Sequence, residues 1–308
     1  MPAKHRSPGA GRGGPAVVGV DLGGTNVRAG LVKGGKLVRV VAAKIEARAA
    51  VDSVLGRIYS VVEPIVSDPE SGVAAIGAGV PSVIDVKRGI VYDVQNIPSW
   101  KEVPLKARLE GRFGLPVTVN NDANCFALAE WKFGRARGRR HAVGLIIGTG
   151  LGAGIIADGR LVSGAHCGAG EFGMLPYLDR NFEYYACGQF FEHVHGTTGE
   201  DAARRAARGD RGARRMFAEY GAHLGEAMKA VCYACDPEIV VLGGSVSKSY
   251  RWFAPALRAR FRTFAYAPIV RDLEIAVSNL AQPGILGAAG LALEALGDGF
   301  SPLHSEGG

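Results

Sequence analysis

Several short stretches of this chain carry acids, amides and glycines in spacings that suit phosphate and hydroxyl chemistry. In Asp21-Leu22-Gly23-Gly24-Thr25-Asn26 the glycines leave backbone amides unshielded by Cβ atoms, so phosphate oxygens can approach closely. Asp21, beside that turn at the end of an apolar run, suits Mg²⁺ held through water, because Mg²⁺ keeps part of its water shell. The turn is not a mononucleotide P-loop: the Lys-Ser/Thr ending is missing and the pattern that follows is a strand. Gly148-Thr149-Gly150-Leu151-Gly152-Ala153-Gly154 is a second turn of the same kind. A third cluster, Leu242-Gly243-Gly244-Ser245-Val246-Ser247, suits a nucleoside, its small residues letting a flat base lie against backbone. Each also has a plainer reading as a turn that uses glycine for its backbone angles.

Between the first two turns lies Asn120-Asn121-Asp122-Ala123-Asn124. Phosphoryl transfer to a hydroxyl needs one carboxylate within hydrogen-bond reach of the acceptor oxygen, and otherwise works by positioning and charge neutralisation. Asp122 is the candidate for that catalytic base; the alternative is that Asp122 or Asn124 caps the following helix. Glu171, in the Gly-rich segment SGAHCGAGEFGML, is either a carboxylate for polyol hydroxyls or a plain exposed loop acid.

The elements that must hold these residues alternate between strand and helix, so the class is α/β. VVGVDLGGTNVRAGLV reads as strand, turn and strand, followed by a turn at Gly34-Gly35 and a third strand from Leu37 to Ala43. A helix is expected from about Val51 to Val66, a strand over GVAAIGAGV, a loop through PSVIDVKRGIVYDVQNIPSW, a short helix from Pro104 to Phe113 and a strand over LPVTVNN. After Asn124 a helix is expected to run to Phe133, and HAVGLIIGTGLGAGIIADGRLV then repeats the opening plan. The two copies lie a domain's length apart, which predicts two related domains with a Gly-rich turn on each wall of one cleft. The expected division is a tail over 1–15, a smaller domain over 16–120 joined by a C-terminal helix near 285–296, a larger domain over 121–284, and a tail over 297–308.

With 308 residues and 47% hydrophobic content the chain can bury two cores, and its 45 glycines exceed ordinary usage, for which ligand-contacting loops are the leading explanation. The net charge of +7 and pI near 9.2 admit a polyanionic partner. Much of that charge, however, sits in Arg204, Arg205, Arg208, Arg211, Arg214 and Arg215, which read as one solvated helix face rather than a nucleic-acid surface. Five irregularly spaced cysteines make no disulfide framework, and the lone Cys232/Cys235 pair reads as core packing. With no long apolar run and no apolar leader, a soluble cytoplasmic protein without membrane association is expected.

DLGGTNVR, GVPSVIDVKRGIVYDVQNIPSW, NNDANCFALAEWKFG, GTGLGAGII, GAGEFG and LGGSVS, in this order, resemble the ROK family of sugar kinases and repressors over roughly residues 17–290. The resemblance implies two actin-like domains with a ribonuclease H-like core, a hexose and ATP with Mg²⁺ in the cleft between them, and a homodimer. It implies Asp122 as base toward the sugar 6-hydroxyl, with Gly79, Pro81, Ser82, Asn96, Asn121, Glu171 and Glu192 on the sugar side. The nucleotide would lie on Asp21, Gly23, Gly24, Thr25, Asn26, Thr149, Gly150, Gly152, Gly243, Gly244 and Ser245. Glucose is the default sugar; other hexoses, amino sugars, cyclitols and a polyphosphate donor stay open.

The chain departs from the family pattern in one region. Where the family places a zinc-binding histidine after the Glu, this chain has Met174, and LPYLDRNFEYYACGQFFEHVHG holds only Cys187 where the family has three cysteines. Thioether is a poor zinc ligand, so no structural zinc is expected. A sugar-responsive DNA-binding protein is disfavoured because the segment before Val17 is short for a winged helix. A non-catalytic sugar-binding regulator is disfavoured because base, metal acid and both phosphate turns are present together.

Overall fold

The structure, a computed structural model, describes residues 14–46 and 48–297, so nearly all of the tails expected at 1–15 and 297–308 lies outside the described residues. The chain opens with β1 (Ala16–Leu22), β2 (Asn26–Lys33) and β3 (Lys36–Lys44), then α1 (Val51–Val66) and β4 (Val73–Val80). The stretch expected as a plain loop forms a small antiparallel sheet of β5 (Val83–Asp85), β6 (Ile90–Tyr92) and β7 (Glu102–Val103). Its strands are too short and too interrupted by turn residues for alternation to reveal them. Next come α2 (Leu105–Phe113), β8 (Val117–Asn121) and α3 (Asp122–Phe133). The opening plan returns as β9 (Ala142–Ile147), β10 (Leu151–Ala157) and β11 (Arg160–Val162).

After a hairpin of β12 (Pro176–Tyr177) and β13 (Arg180–Asn181), the chain is mostly helical: α4 (Phe182–Ala186), α5 (Phe190–His195), α6 (Gly199–Ala207) and α7 (Arg211–Cys235). It ends with β14 (Ile239–Gly243), α8 (Tyr250–Phe261), α9 (Ala267–Asp272), β15 (Glu274–Val277) and α10 (Pro283–Ala295). The arginines expected on one helix face are divided between two helices. Gly209, at φ +93°, breaks the run, and Asp210 caps α7 by accepting the Ala213 N–H at 3.0 Å. Arg204 and Arg205 pair with Asp201 and Asp210, while Arg214 lies over the Trp252 ring.

Two five-stranded sheets carry the molecule, ordered β3-β2-β1-β4-β8 and β11-β10-β9-β14-β15. Both have the same plan: an antiparallel meander whose first strand continues into two parallel neighbours. α1 covers the outer face of the first sheet with Val54, Leu55, Ile58, Val61, Val62 and Ile65. Their three- and four-residue spacing puts one apolar stripe on the sheet, each side chain contributing roughly 1.5–3 kcal/mol on burial.

Between the sheets lie α3 and α10, and many of the excess glycines are explained here rather than at ligand loops. A Cβ on Gly19 or Gly77 would lie 2.0 Å or 1.7 Å from the carbonyl oxygens of Ile285 and Ala288, so α10 rests directly on β1 and β4. A Cβ on Gly154 would lie 2.6 Å from the Ala123 carbonyl oxygen, which seats α3 on β10. At Gly287 the same atom would lie 1.7 Å from the Cys125 carbonyl oxygen, where the two helices touch. The backbones approach closer than any side chain permits, and this fixes the two sheets' turns relative to each other.

Candidate active site

The register of the first sheet brings its acids together. Asp21 of β1 is opposite Gly79 of β4, which is opposite Asn120 of β8, so the carboxyl ends of three parallel strands present Asp21, Gly79 and the Asn121-Asp122 pair side by side. Ligands of open α/β sheets gather at such strand ends. Gly79 has a packing role, since a Cβ there would stand 2.9 Å from the Cys125 sulfur.

α3 starts at Asp122, three residues earlier than expected, and its cap is Asn121 rather than Asp122 or Asn124. Asn121 Oδ1 accepts the Ala123 N–H at 2.8 Å, and Asn121 Nδ2 donates to the Ser82 carbonyl oxygen at 3.1 Å. Asp122 is left in the first helical turn, with Oδ1 also accepting from Ala123 N at 2.9 Å. Burial pushes its carboxyl up to about 6 against that hydrogen bond, and the negative charges of Asp21 and Glu171 push the same way. Asp21 is itself raised by burial, opposed by Arg28, whose Nη1 lies 3.8 Å from Asp21 Oδ2 across the hairpin. Glu171 is raised by burial and then by the charge of Glu183.

The first Gly-rich turn closes through Gly23 N–H to the Asn26 carbonyl at 2.9 Å, with Asn26 Nδ2 donating to Thr25 Oγ1 at 2.9 Å. It abuts the loop expected on the sugar side: a Cβ on Gly24 would lie 2.7 Å from Asn96 Cβ. In that loop Pro81 is half-buried and the Ser82 hydroxyl donates to the Tyr92 carbonyl. The second turn is tied down by Glu183, whose Oε2 accepts the Leu151 N–H at 2.9 Å and lies 2.6 Å from where a Gly150 Cβ would be. Gly152 brings this turn to the start of α3, its missing Cβ 3.2 Å from Ala123 Cβ.

A cavity of about 750 Å³ opens beside Gly148 and Thr149 and extends between α5, α6 and the third Gly-rich cluster. Phe191, Ala203, Phe217 and Val246 give it apolar walls, and Thr198, Ser245, Ser249 and Lys248 supply polar groups. Of the third cluster, Ser245 lines the cavity, whereas Gly243 makes room for the Phe126 ring and Gly244, at φ +83°, lets the chain pass the Ile147 carbonyl. Glu192 lines this same cavity, on the side of Thr149 and Ser245, and is not among the charges acting on Asp122 or Glu171.

The acid next to Glu171 is Glu183, which sequence reasoning passed over because it lies in the segment that departs from the family pattern. That segment folds around aromatic rings, Tyr177 stacked on Phe182 at 4.5 Å, with Cys187 buried and Met174 exposed. Among the described residues no group of three or more His, Cys, Asp and Glu could hold a metal ion, and no helix is long and apolar enough to cross a membrane. Asn120 was also passed over as a working residue. The two-residue alternation of its strand, which turns it away from Asn121, was the available signal.

The profile of the ROK family matches residues 17–295. The chain is 31% identical to a glucokinase of Thermotoga maritima over 91% of its own length and 98% of the relative's. It is 30% identical to an N-acetyl-D-glucosamine kinase of Photobacterium profundum, covering 74% of this chain and 84% of the other. Its fold superposes with a TM-score of 0.78 on the crystal structure of a ROK family glucokinase from Streptomyces griseus in complex with glucose and AMPPNP, at 27% identity over 91% of this chain and 99% of that one.

Proposed function

The chain belongs to the ROK family and is a sugar kinase with that family's two-domain actin-like fold, and from this premise we propose that it phosphorylates a hexose, glucose first, at the 6-hydroxyl. The observation that carries the reading is Asp122: a buried carboxyl in the first turn of the helix that Asn121 caps, raised to about 6, and near both Asp21 of the first sheet and the Gly-rich turn of the second. A base poised just below neutral pH is ionised under working conditions yet still basic enough to take a hydroxyl proton. The sugar lies against Gly79, Pro81, Ser82, Asn96, Asn121 and Glu171 in this reading. Asn121 acts there chiefly by orienting its neighbour, since both ends of its amide are engaged with backbone.

ATP is the donor, its phosphates between the turns at Gly23–Asn26 and Thr149–Gly152 and its nucleoside in the cavity walled by Phe191, Ala203 and Phe217. Those apolar walls favour a nucleoside over polyphosphate, which has no apolar part to bury. Mg²⁺ fits the site as an ion arriving with the nucleotide: Asp21 offers a hard oxygen donor, and Mg²⁺ is commonly held by one or two carboxylates plus substrate phosphates. When bound, it supplies charge neutralisation on the transferred phosphoryl group. Closure of the cleft then excludes water, the competing acceptor.

The deciding measurement is a coupled ADP-release assay across glucose, fructose, mannose, glucosamine, N-acetylated hexoses and cyclitols, repeated with polyphosphate replacing ATP. Turnover of glucose with ATP is expected. Absence of turnover on every sugar with either donor sinks the reading. A cytoplasmic homodimer belongs to the same proposal, and sedimentation velocity at micromolar concentration tests the dimer.

A further inference from the structure

Beneath the candidate base lies a buried hydrogen-bond network that the phosphoryl-transfer reading leaves unused. Asn120, 3% exposed, is at its centre. Its Oδ1 accepts from the Asn121 backbone N–H at 2.8 Å, from Asn124 Nδ2 at 2.9 Å and from the Cys167 thiol at 3.0 Å. Its Nδ2 donates to Ser163 Oγ at 3.1 Å. Asn124 Nδ2 also reaches the Cys167 sulfur at 3.5 Å. One amide therefore joins two segments: the β8–α3 junction that carries Asp122, and the loop from Ser163 through Cys167 that carries Glu171.

Cys167 is an unusual residue for its position. It is 2% exposed and has φ +59°, the left-handed region in which a side chain other than glycine is held only when its surroundings require it. Its thiol is raised by burial, so it stays protonated and remains a donor to Asn120 Oδ1. Both ends of the Asn120 amide are paired, while Asn124 Oδ1 is buried without a partner, so the arrangement turns on Asn120: any slip of the loop strands further donors away from water.

We propose that Asn120 and Cys167 are positioning residues that hold the loop carrying Glu171 against the β8–α3 junction carrying Asp122. This rests on the kinase reading above. If the loop is released, Asp122 loses a nearby negative charge and gains water, and both changes lower its proton affinity.

The test is the pH dependence of kcat/KM with glucose and ATP for wild type, Asn120→Ala, Cys167→Ala, Cys167→Ser and Asp122→Asn. Asn120→Ala and Cys167→Ala are expected to lower kcat about tenfold and to move the acid limb down by about half a pH unit or more, with KM for ATP within about twofold. Cys167→Ser, whose hydroxyl donates to the same oxygen, is expected to keep kcat within about threefold and to leave the limb in place. If both alanine variants melt earlier yet keep the wild-type limb and the wild-type kcat per folded molecule, the network is merely structural and the proposal is overturned. Asp122→Asn separates the two ideas: if it retains the wild-type rate, the kinase assignment itself fails. If it is inactive while the limb ignores residues 120 and 167, only the positioning proposal fails. Should Asn120→Ala not fold, the Cys167→Ala and Cys167→Ser pair alone decides.

Discussion

Asn121 caps α3 by accepting the Ala123 N–H at 2.8 Å, and Asp122 Oδ1, in the first turn, shares that donor at 2.9 Å. Replacement of Asp122 by Asn is expected to lower kcat by roughly 10²–10⁴-fold, the usual contribution of a positioned base. Glucose affinity, measured calorimetrically, is expected to stay within about threefold, because the amide keeps the shape of the group. A variant within tenfold of the wild-type rate refutes the assignment.

A general base at Asp122 acts only as a carboxylate, so on the proposed reading kcat/KM is expected to fall as pH drops through about 6 and to be flat above it. Because the charge of Glu171 helps raise Asp122, Glu171→Gln is expected to shift that limb to lower pH. An unmoved limb, or one near the ordinary aspartate value, contradicts the geometry.

The same shift has a consequence for stability. A carboxyl whose folded value exceeds its unfolded value of about 3.9 favours the fold while protonated, and this contribution is lost as pH rises through about 6. At pH 7.5 the ionised group costs on the order of 1–3 kcal/mol. Asp122→Asn is therefore expected to melt several degrees higher than wild type at pH 7.5, with the gain shrinking toward pH 4. Thermal scans across that range check the sign.

Gly287→Ala places a methyl group 1.7 Å from the Cys125 carbonyl oxygen, and neither helix backbone can yield without moving a sheet. A loss of roughly 2–4 kcal/mol is expected by urea unfolding. Gly56→Ala, in α1 with open space around it, is expected to stabilise by about 0.5–1 kcal/mol. Equal effects at the two positions would mean that the α3–α10 contact is not as close as described.

Ala203→Trp fills the cavity between α6 and Phe217. KM for ATP is expected to rise about tenfold or more, while KM for glucose stays within about twofold. An unchanged KM for ATP would move the nucleoside elsewhere.

Much of this protein could be read from the chain itself. The strand-turn-strand plan occurs twice, at Asp21–Asn26 and Gly148–Gly154, and local apolar alternation with glycine at the bends is enough to reveal it. α1 begins and ends where its periodicity does, and Asp122 was legible as a candidate because a lone acid at a strand end can be only a few things. Short-range pattern carried less where partners are remote. The strands around Ile90 have no periodicity of their own, and the arginine run is cut by a single glycine at residue 209.

Tertiary structure decided the rest, because sequence spacing does not specify which distant groups share a dielectric. Asn121 rather than Asp122 became the cap, since Ser82 arrives to hold its amide. Glu192 fell to the cavity beside Thr149 and Ser245 while Glu183 came to Glu171 and Leu151. The glycine excess, for which ligand-contacting loops were the leading explanation, is partly made of places where one backbone rests on another, as at Gly19, Gly77 and Gly287. Residue types and order determined what chemistry this chain can do. The fold, by burying Asp122 near two other acids, decided that its carboxyl is raised to about 6.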